Sequence, residues 1–172
     1  MSSEINTMNT KKVSISEVSY DNNDSIRILN AVLSKWFSDP KILHFTAPKH
    51  QYPFKINKWI TLSYLDQGVN TYCLKLDNWI IGHLSIKINT EEKSAHLFHL
   101  IIDEKFRRNG YGKKLVNHAE QKLIDQEQIV RISLNCVKKN ESAIALYQSI
   151  GFSIVKEKKY IKMVKELKQQ DN

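Results

Sequence analysis

The sequence predicts one three-layer α/β domain built on a mixed, mostly antiparallel sheet of about seven strands. Three observations lead there. Hydrophobic periodicity changes along the chain in the order β-α-α-β-β-β-α-β-α-β-β, which suits a sheet with helices packed on it. The run AHLFHLIID, Ala95 to Asp103, is almost continuously apolar, as a strand covered on both faces should be. At 172 residues, with no repeat or linker, the chain is most simply one domain over residues 13–172, behind a flexible polar leader at 1–12.

VSISEV, Val13 to Val18, alternates apolar and polar residues as a half-buried strand does. Asp24 then precedes IRILNAVLSKWF as a cap, with Ile28, Leu29, Val32, Leu33 and Trp36 on one helical stripe. Residues 39–57 hold all 3 prolines and read as a long loop containing at most a short helix. KWITLSYLDQG is a second helix, stopped by Gly68. Thr71 to Leu76 and Ile80 to Ile88 form a hairpin around Asp77, Asn78 and Trp79, and NTEEKS turns into the apolar strand. A helix runs from Tyr111 to Glu127, IVRISLNCV is a strand, NESAIALYQSIG a short helix, and the remainder a final strand pair.

Composition narrows the function classes. With 41% hydrophobic and 26% charged residues the chain is an ordinary globular one. It has neither a membrane-length apolar run nor a secretory leader, so a cytoplasmic location and no membrane partner are expected. Its 2 cysteines, Cys73 and Cys136, fall in strand-like runs and read as buried free thiols. No Cys, His and acid cluster has metal-site spacing, so no metal is expected. Residues 87–172 carry 17 Lys and Arg against 11 Asp and Glu, a net of +6. The first 86 carry 9 against 7, a net of +2. That imbalance favours an anionic ligand such as a phosphorylated cofactor or nucleic acid.

The stretch FRRNGYGKKLV, Phe106 to Val116, places that charge where the apolar strand hands over to a helix. Unpaired amides at a helix start bind anions, and glycine lets the backbone come close to one. The spacing is that of neither a P-loop nor GxGxxG, so the segment by itself is equally a tight turn with a solvated basic face. A second constellation lies in NESAIALYQSIGF, with Asn140, Ala143, Leu146, Tyr147, Gly151 and Phe152.

Together the two stretches resemble the GNAT superfamily of acetyl-CoA-dependent N-acetyltransferases. Arg107-x-x-Gly110-x-Gly112 is similar to its pyrophosphate signature, and Asn140-x-x-Ala143-x-x-Leu146-Tyr147 to its second cofactor motif. The wording of residues 95–152 looks most like the branch that acetylates ribosomal proteins and other protein N-termini. The resemblance implies acetyl-CoA as co-substrate, with a pyrophosphate site at Arg107, Arg108, Asn109, Gly110, Tyr111, Gly112 and Lys113. The main chain of Leu100, Ile101 and Ile102 would pair with the pantetheine arm, and an N–H there would polarise the thioester carbonyl. Asn140 would hold the pantetheine, besides being a good helix cap. Tyr147 would protonate the departing thiolate.

At two positions where relatives place a glutamate this chain has His96 and Asn135. Asn135 cannot take a proton; His96 is a candidate base, Glu91 and Glu92 in the preceding turn could reach the site through water, and an amine arriving neutral would need no dedicated base. Strand parity puts His96 with Phe98, Leu100 and Ile102, and His99 on the opposite face. The acceptor is expected to be a small-molecule or protein amine, on a neutral or acidic molecule, because Lys41 to Lys58 contains 4 lysines and no acid. A homodimer is compatible with the pattern. The competing readings are a basic RNA- or ribosome-binding module, disfavoured because no RNA-binding signature is present, and a catalytically weak CoA-binding regulator.

Overall fold

A computed structural model describes residues 10–168, with Gln126 and Glu127 described by backbone alone. The elements are β1 (Val13–Val18), α1 (Asn23–Trp36), α2 (Pro40–Thr46), α3 (Ile56–Ser63), β2 (Val69–Leu76), β3 (Trp79–Asn89), β4 (Ser94–Ile102), α4 (Tyr111–Lys122), β5 (Arg131–Val137), α5 (Glu141–Ser149), β6 (Ser153–Glu157) and β7 (Tyr160–Glu166). The seven strands lie in the order β1-β2-β3-β4-β5-β7-β6. Only β4 and β5 run parallel; every other neighbouring pair is antiparallel. A parallel pair needs a crossover, and α4 supplies it.

Each face of the sheet has its own apolar core. On the back, Leu84, Ile86 and Leu97 of the strands meet Leu115, Val116 and Ala119 of α4 and Tyr147 of α5. On the front, Leu29, Leu33 and Trp36 of α1, Leu43 of α2 and Trp59 of α3 pack over Cys73 and Ile101. Gly82 lets the layers close. A Cβ there would stand 2.8 Å from Ile102 Cδ1 and 3.0 Å from Leu115 Cδ1.

Several boundaries differ from the sequence expectations. Asn22, not Asp24, caps α1: it is extended, and its Oδ1 accepts from the Ser25 amide at 3.0 Å. The proline-rich segment contains α2, capped by Asp39 and opened by Pro40, a residue whose missing N–H costs nothing in a first turn. The second predicted helix, α3, stops at Ser63, short of Gly68. Gly68 instead turns the chain into β2 at φ +81, its carbonyl accepting from the Ile88 amide. The predicted helix over 111–127 is α-helical to Lys122 and widens into a π turn over Leu123–Glu127. Of the expected leader, residues 1–9 lie outside the described residues. Lys12 is tied by backbone bonds to Asp77, 2.9 Å to Oδ1 and 2.7 Å from the Asp77 amide.

The largest correction concerns face parity in β4. Gly82 and His83 pair with Ile102 and Ile101, but Ser85 pairs with Phe98. Leu84 therefore opposes two residues, His99 and Leu100, and His99 takes the left-handed φ of 53°. This is a β-bulge, and one extra residue exchanges the faces of everything beyond it. His99 and Ile101 consequently share the front face with His96 and Phe98, and their rings meet: His96 stacks near Phe98, and Phe98 sits edge-on to His99 at 4.8 Å. Leu100 and Ile102, expected beside His96, pack toward the back core instead.

Candidate active site

β4 and β5 are paired only from Ser94–Arg131 to His96–Ser133, and beyond that they part. A bulge bends the strand that carries it, so the parting follows from the insertion at His99 and Leu100. The gap opens into a cleft of about 660 Å³ between α2, the end of β4, the start of α4 and α5.

One wall is the glycine-arginine turn. Arg107 folds back so that its Nε donates to the Ile102 carbonyl at 3.0 Å. Asn109 holds the turn from inside, its Nδ2 donating to the carbonyls of Phe106 and Arg107 at 3.1 Å each, and it does not line the cleft. Arg108 and Gly110 are both left-handed, at φ 63° and 76°. Gly110 caps α4 with no side-chain bond, and a Cβ on it would meet nothing within 4 Å. Tyr111, Gly112 and Lys113 begin α4 at the cleft wall, together with Arg107 and Arg108. This wall places unpaired first-turn amides and three cations against open space, which is anion-binding chemistry. Lys41 adds charge from α2, while Asp39 and Glu104 are the acids at the rim.

The other walls are β4 and α5. Leu100, Ile101 and Ile102 line the cleft where β5 no longer covers β4. Asn140 caps α5, its Oδ1 accepting from the Ala143 amide at 3.4 Å. Tyr147, two turns along, is buried to 7% exposure and edge-on to Phe152. Burial, and then the neighbouring Cys136, hold its hydroxyl well above the ordinary tyrosine range, so it keeps its proton. Cys136 also lines the cleft, but burial pushes its thiol up to about 11. Cys73, in the front core, is pushed up to about 12 by the same cause. Neither is a ready nucleophile.

His96 stands apart from this cleft, in a separate groove with Lys87, Glu91, Glu92 and Ser133. Its Nδ1 is 3.1 Å from Ser133 Oγ. Burial lowers its pKa below the ordinary 6.5, and Lys49, Lys162 and Lys87 lower it further. Asn135 pairs with Lys162 on β7, in an exposed position.

The sequence reading missed a buried polar cluster beneath the front helices. Tyr20, Trp59, Tyr64, His83 and His99 are all buried there, and Trp59 stacks on His99 at 4.0 Å. Tyr64 Oη lies 2.8 Å from His99 Nδ1 and 2.9 Å from Ser85 Oγ, and Ser85 is 2.9 Å from Thr71 Oγ1. The available signal was the pair His83 and Ser85 inside the otherwise apolar IIGHLSI, since polar groups in a core strand need partners.

Comparisons with known proteins agree with this fold. The family model "Acetyltransferase (GNAT) family" matches residues 30–152. N-alpha-acetyltransferase 30 of Dictyostelium discoideum is 26% identical over 144 residues, 83% of this chain and 70% of that protein. The [Ribosomal protein bS18]-alanine N-acetyltransferase of Salmonella typhimurium is 37% identical over 59 residues, 34% of this chain and 39% of that protein. Spermidine N-acetyltransferase from Vibrio cholerae, solved with CoA and spermine, superposes with a TM-score of 0.69 at 14% identity over 90% of this chain and 95% of its own. Seven strands in this order, the cleft at the parted pair and the matched family model lead to one conclusion: the chain belongs to the GNAT acetyltransferase family and is an acyl-CoA-dependent acetyltransferase.

Proposed function

We propose that this enzyme moves an acetyl group from acetyl-CoA to a primary amine by direct attack within a ternary complex. The observation that carries the reading is the meeting, across one cleft, of the glycine-arginine turn with Asn140 and Tyr147. The amides and cations from Arg107 to Lys113 take the pyrophosphate. The cleft-lining stretch Leu100 to Ile102, left unpaired by β5, receives the pantetheine as an added strand would. Asn140 has its Oδ1 engaged in the cap, which leaves its NH₂ to donate to the ligand. Tyr147, with its proton retained, is the acid for the leaving thiolate. High thiol pKa values at both cysteines support direct transfer over an acyl-cysteine intermediate.

The acceptor would reach the carbonyl from the front face, where lysines surround His96 and Glu91 and Glu92 line the far part of the same groove. Lys87 stands across from His96, and Lys162 lies between Asn135 and Lys156 in the sheet register. Lys87 is paired with Asp66, but Lys49 and Lys162 remain near His96. The lysines nearest His96 disfavour a polycation beside it and favour an amine in its neutral form, which lightens the task of the base. His96 lines the groove and not the cleft, so it would take the amine proton through bridging water rather than directly. We read the acceptor as an amine on a neutral or acidic molecule, such as a protein N-terminus or an amino acid.

Thermal unfolding with and without acetyl-CoA tests the donor, with adenosine as the control. Saturating acetyl-CoA at ~100 times its dissociation constant should stabilise the fold by about 2.7 kcal/mol. No shift at millimolar concentration would remove the donor assignment. Acceptors are then compared as acidic N-terminal peptides, free amino acids and spermidine; preference for spermidine would overturn the acceptor reading. Gly110→Val should abolish acetyl-CoA binding in calorimetry. The branched side chain fills the open space beside the turn, and at φ 76° it costs roughly 1–2 kcal/mol. Wild-type affinity in that variant would sink the pyrophosphate assignment.

A further inference from the structure

The bulge in β4 is held by a side chain from the neighbouring strand. His83 is wholly buried, and its Nδ1 lies 2.8 Å from the carbonyl oxygen of His99. A carbonyl can only accept, so Nδ1 carries the proton. Burial keeps the ring neutral, so Nε2 is an acceptor. The Tyr20 hydroxyl, 2.8 Å from Nε2, must then donate. Its own oxygen accepts from Trp59 Nε1–H at 2.9 Å. Every proton in the series Trp59, Tyr20, His83, His99 carbonyl is thereby assigned, and all of them run one way.

We propose that His83, oriented by Tyr20 and Trp59, is a positioning residue that aims the Leu100 N–H at the thioester carbonyl of the bound acyl donor. In a planar trans peptide, the carbonyl of His99 and the N–H of Leu100 point to opposite sides. Fixing the carbonyl toward His83 turns the N–H away from β3, to the side on which β5 has left β4. Leu100 lines the cleft at that place. The extra residue of a bulge falls out of the ladder, and His99 has left-handed backbone. The peptide therefore depends on a clamp from outside the strand, and His83 is the group that reaches it. His83 acts through this peptide and touches no substrate itself.

The inference rests on the acetyltransferase reading, and its test separates the two. In ¹⁵N-histidine-labelled protein at pH 7, His83 should be the tautomer protonated at Nδ1 and bare at Nε2, its signals assigned by their loss in His83→Asn. The opposite tautomer overturns the clamp whatever the protein binds. With acetyl-CoA labelled with ¹³C at the thioester carbonyl, binding should lower the infrared carbonyl stretch in wild type. His83→Leu should return the stretch to its solution value while leaving affinity for CoA, which has no such carbonyl, unchanged. His83→Asn, whose amide can donate to the same oxygen, should restore the shift. Tyr20→Phe, which keeps the ring but removes its donor, should shift the stretch part of the way back, and serves if His83→Leu does not fold. An unaltered stretch in folded His83→Leu or Tyr20→Phe overturns the proposal. Failure of wild type to take up acetyl-CoA counts against the donor assignment, and the tautomer then decides the clamp.

Discussion

Tyr147→Phe is expected to lower turnover by about 100-fold or more, in line with the usual worth of a positioned acid, while acetyl-CoA affinity holds. The ring is packed edge-on to Phe152 and buried in the back core, so phenylalanine preserves the packing and deletes only the hydroxyl. A buried hydroxyl held above the ordinary range is protonated throughout neutral and moderately alkaline pH. Wild-type turnover should accordingly show no alkaline fall from this group below pH 10. Steady-state kinetics paired with calorimetry separates the two effects. Undiminished turnover would take Tyr147 out of the acid role, and a matching loss of affinity would make it a binding residue.

The second large effect is on acid stability. Burial lowers His83 from the ordinary 6.5 to about 4, and its bond to the His99 carbonyl offsets only part of that. His99 is lowered too, by burial first and then by the positive ring forms of His83, His50 and His96. The unfolded chain takes up protons on these histidines before the folded one does. Stability is therefore complete above about pH 7, falls as pH drops from 6.5 to 4, and levels off for His83 below that. For His83 the span from 6.5 to about 4 corresponds to roughly 3 kcal/mol. Urea unfolding at intervals between pH 7 and pH 4 measures it. His83→Asn, which does not titrate, should flatten the profile by its share, and an equally steep profile in that variant would show that His83 is not responsible.

Both effects come from groups whose surroundings, rather than whose identity, set their chemistry. Tyr147 could be picked out because Asn140, Ala143, Leu146 and Tyr147 together resemble the family's second cofactor motif, within one helix and its cap. Local spacing of that kind is written in the chain. His83 belongs to no motif; its partners Tyr20, Trp59 and His99 are separated from it by 16 to 63 residues for the bonds it makes itself.

The succession of the seven strands and the four longer helices, the glycine-arginine turn at the head of α4 and the α5 motif were legible in the chain alone, whereas α2 was only a possible short helix inside the proline-bearing loop. Those features depend on period, capping and turn chemistry among residues close in the chain. Only the tertiary structure decided which face each end of β4 presents. Alternation along a strand is legible until one residue is inserted, and the insertion at His99 is visible only against β3, where Leu84 meets two residues. That single shift brings His99 to the same face as His96, turns Leu100 and Ile102 toward the back core, and opens the gap between β4 and β5. Register is a relation between two strands, so it takes both strands in place to show it.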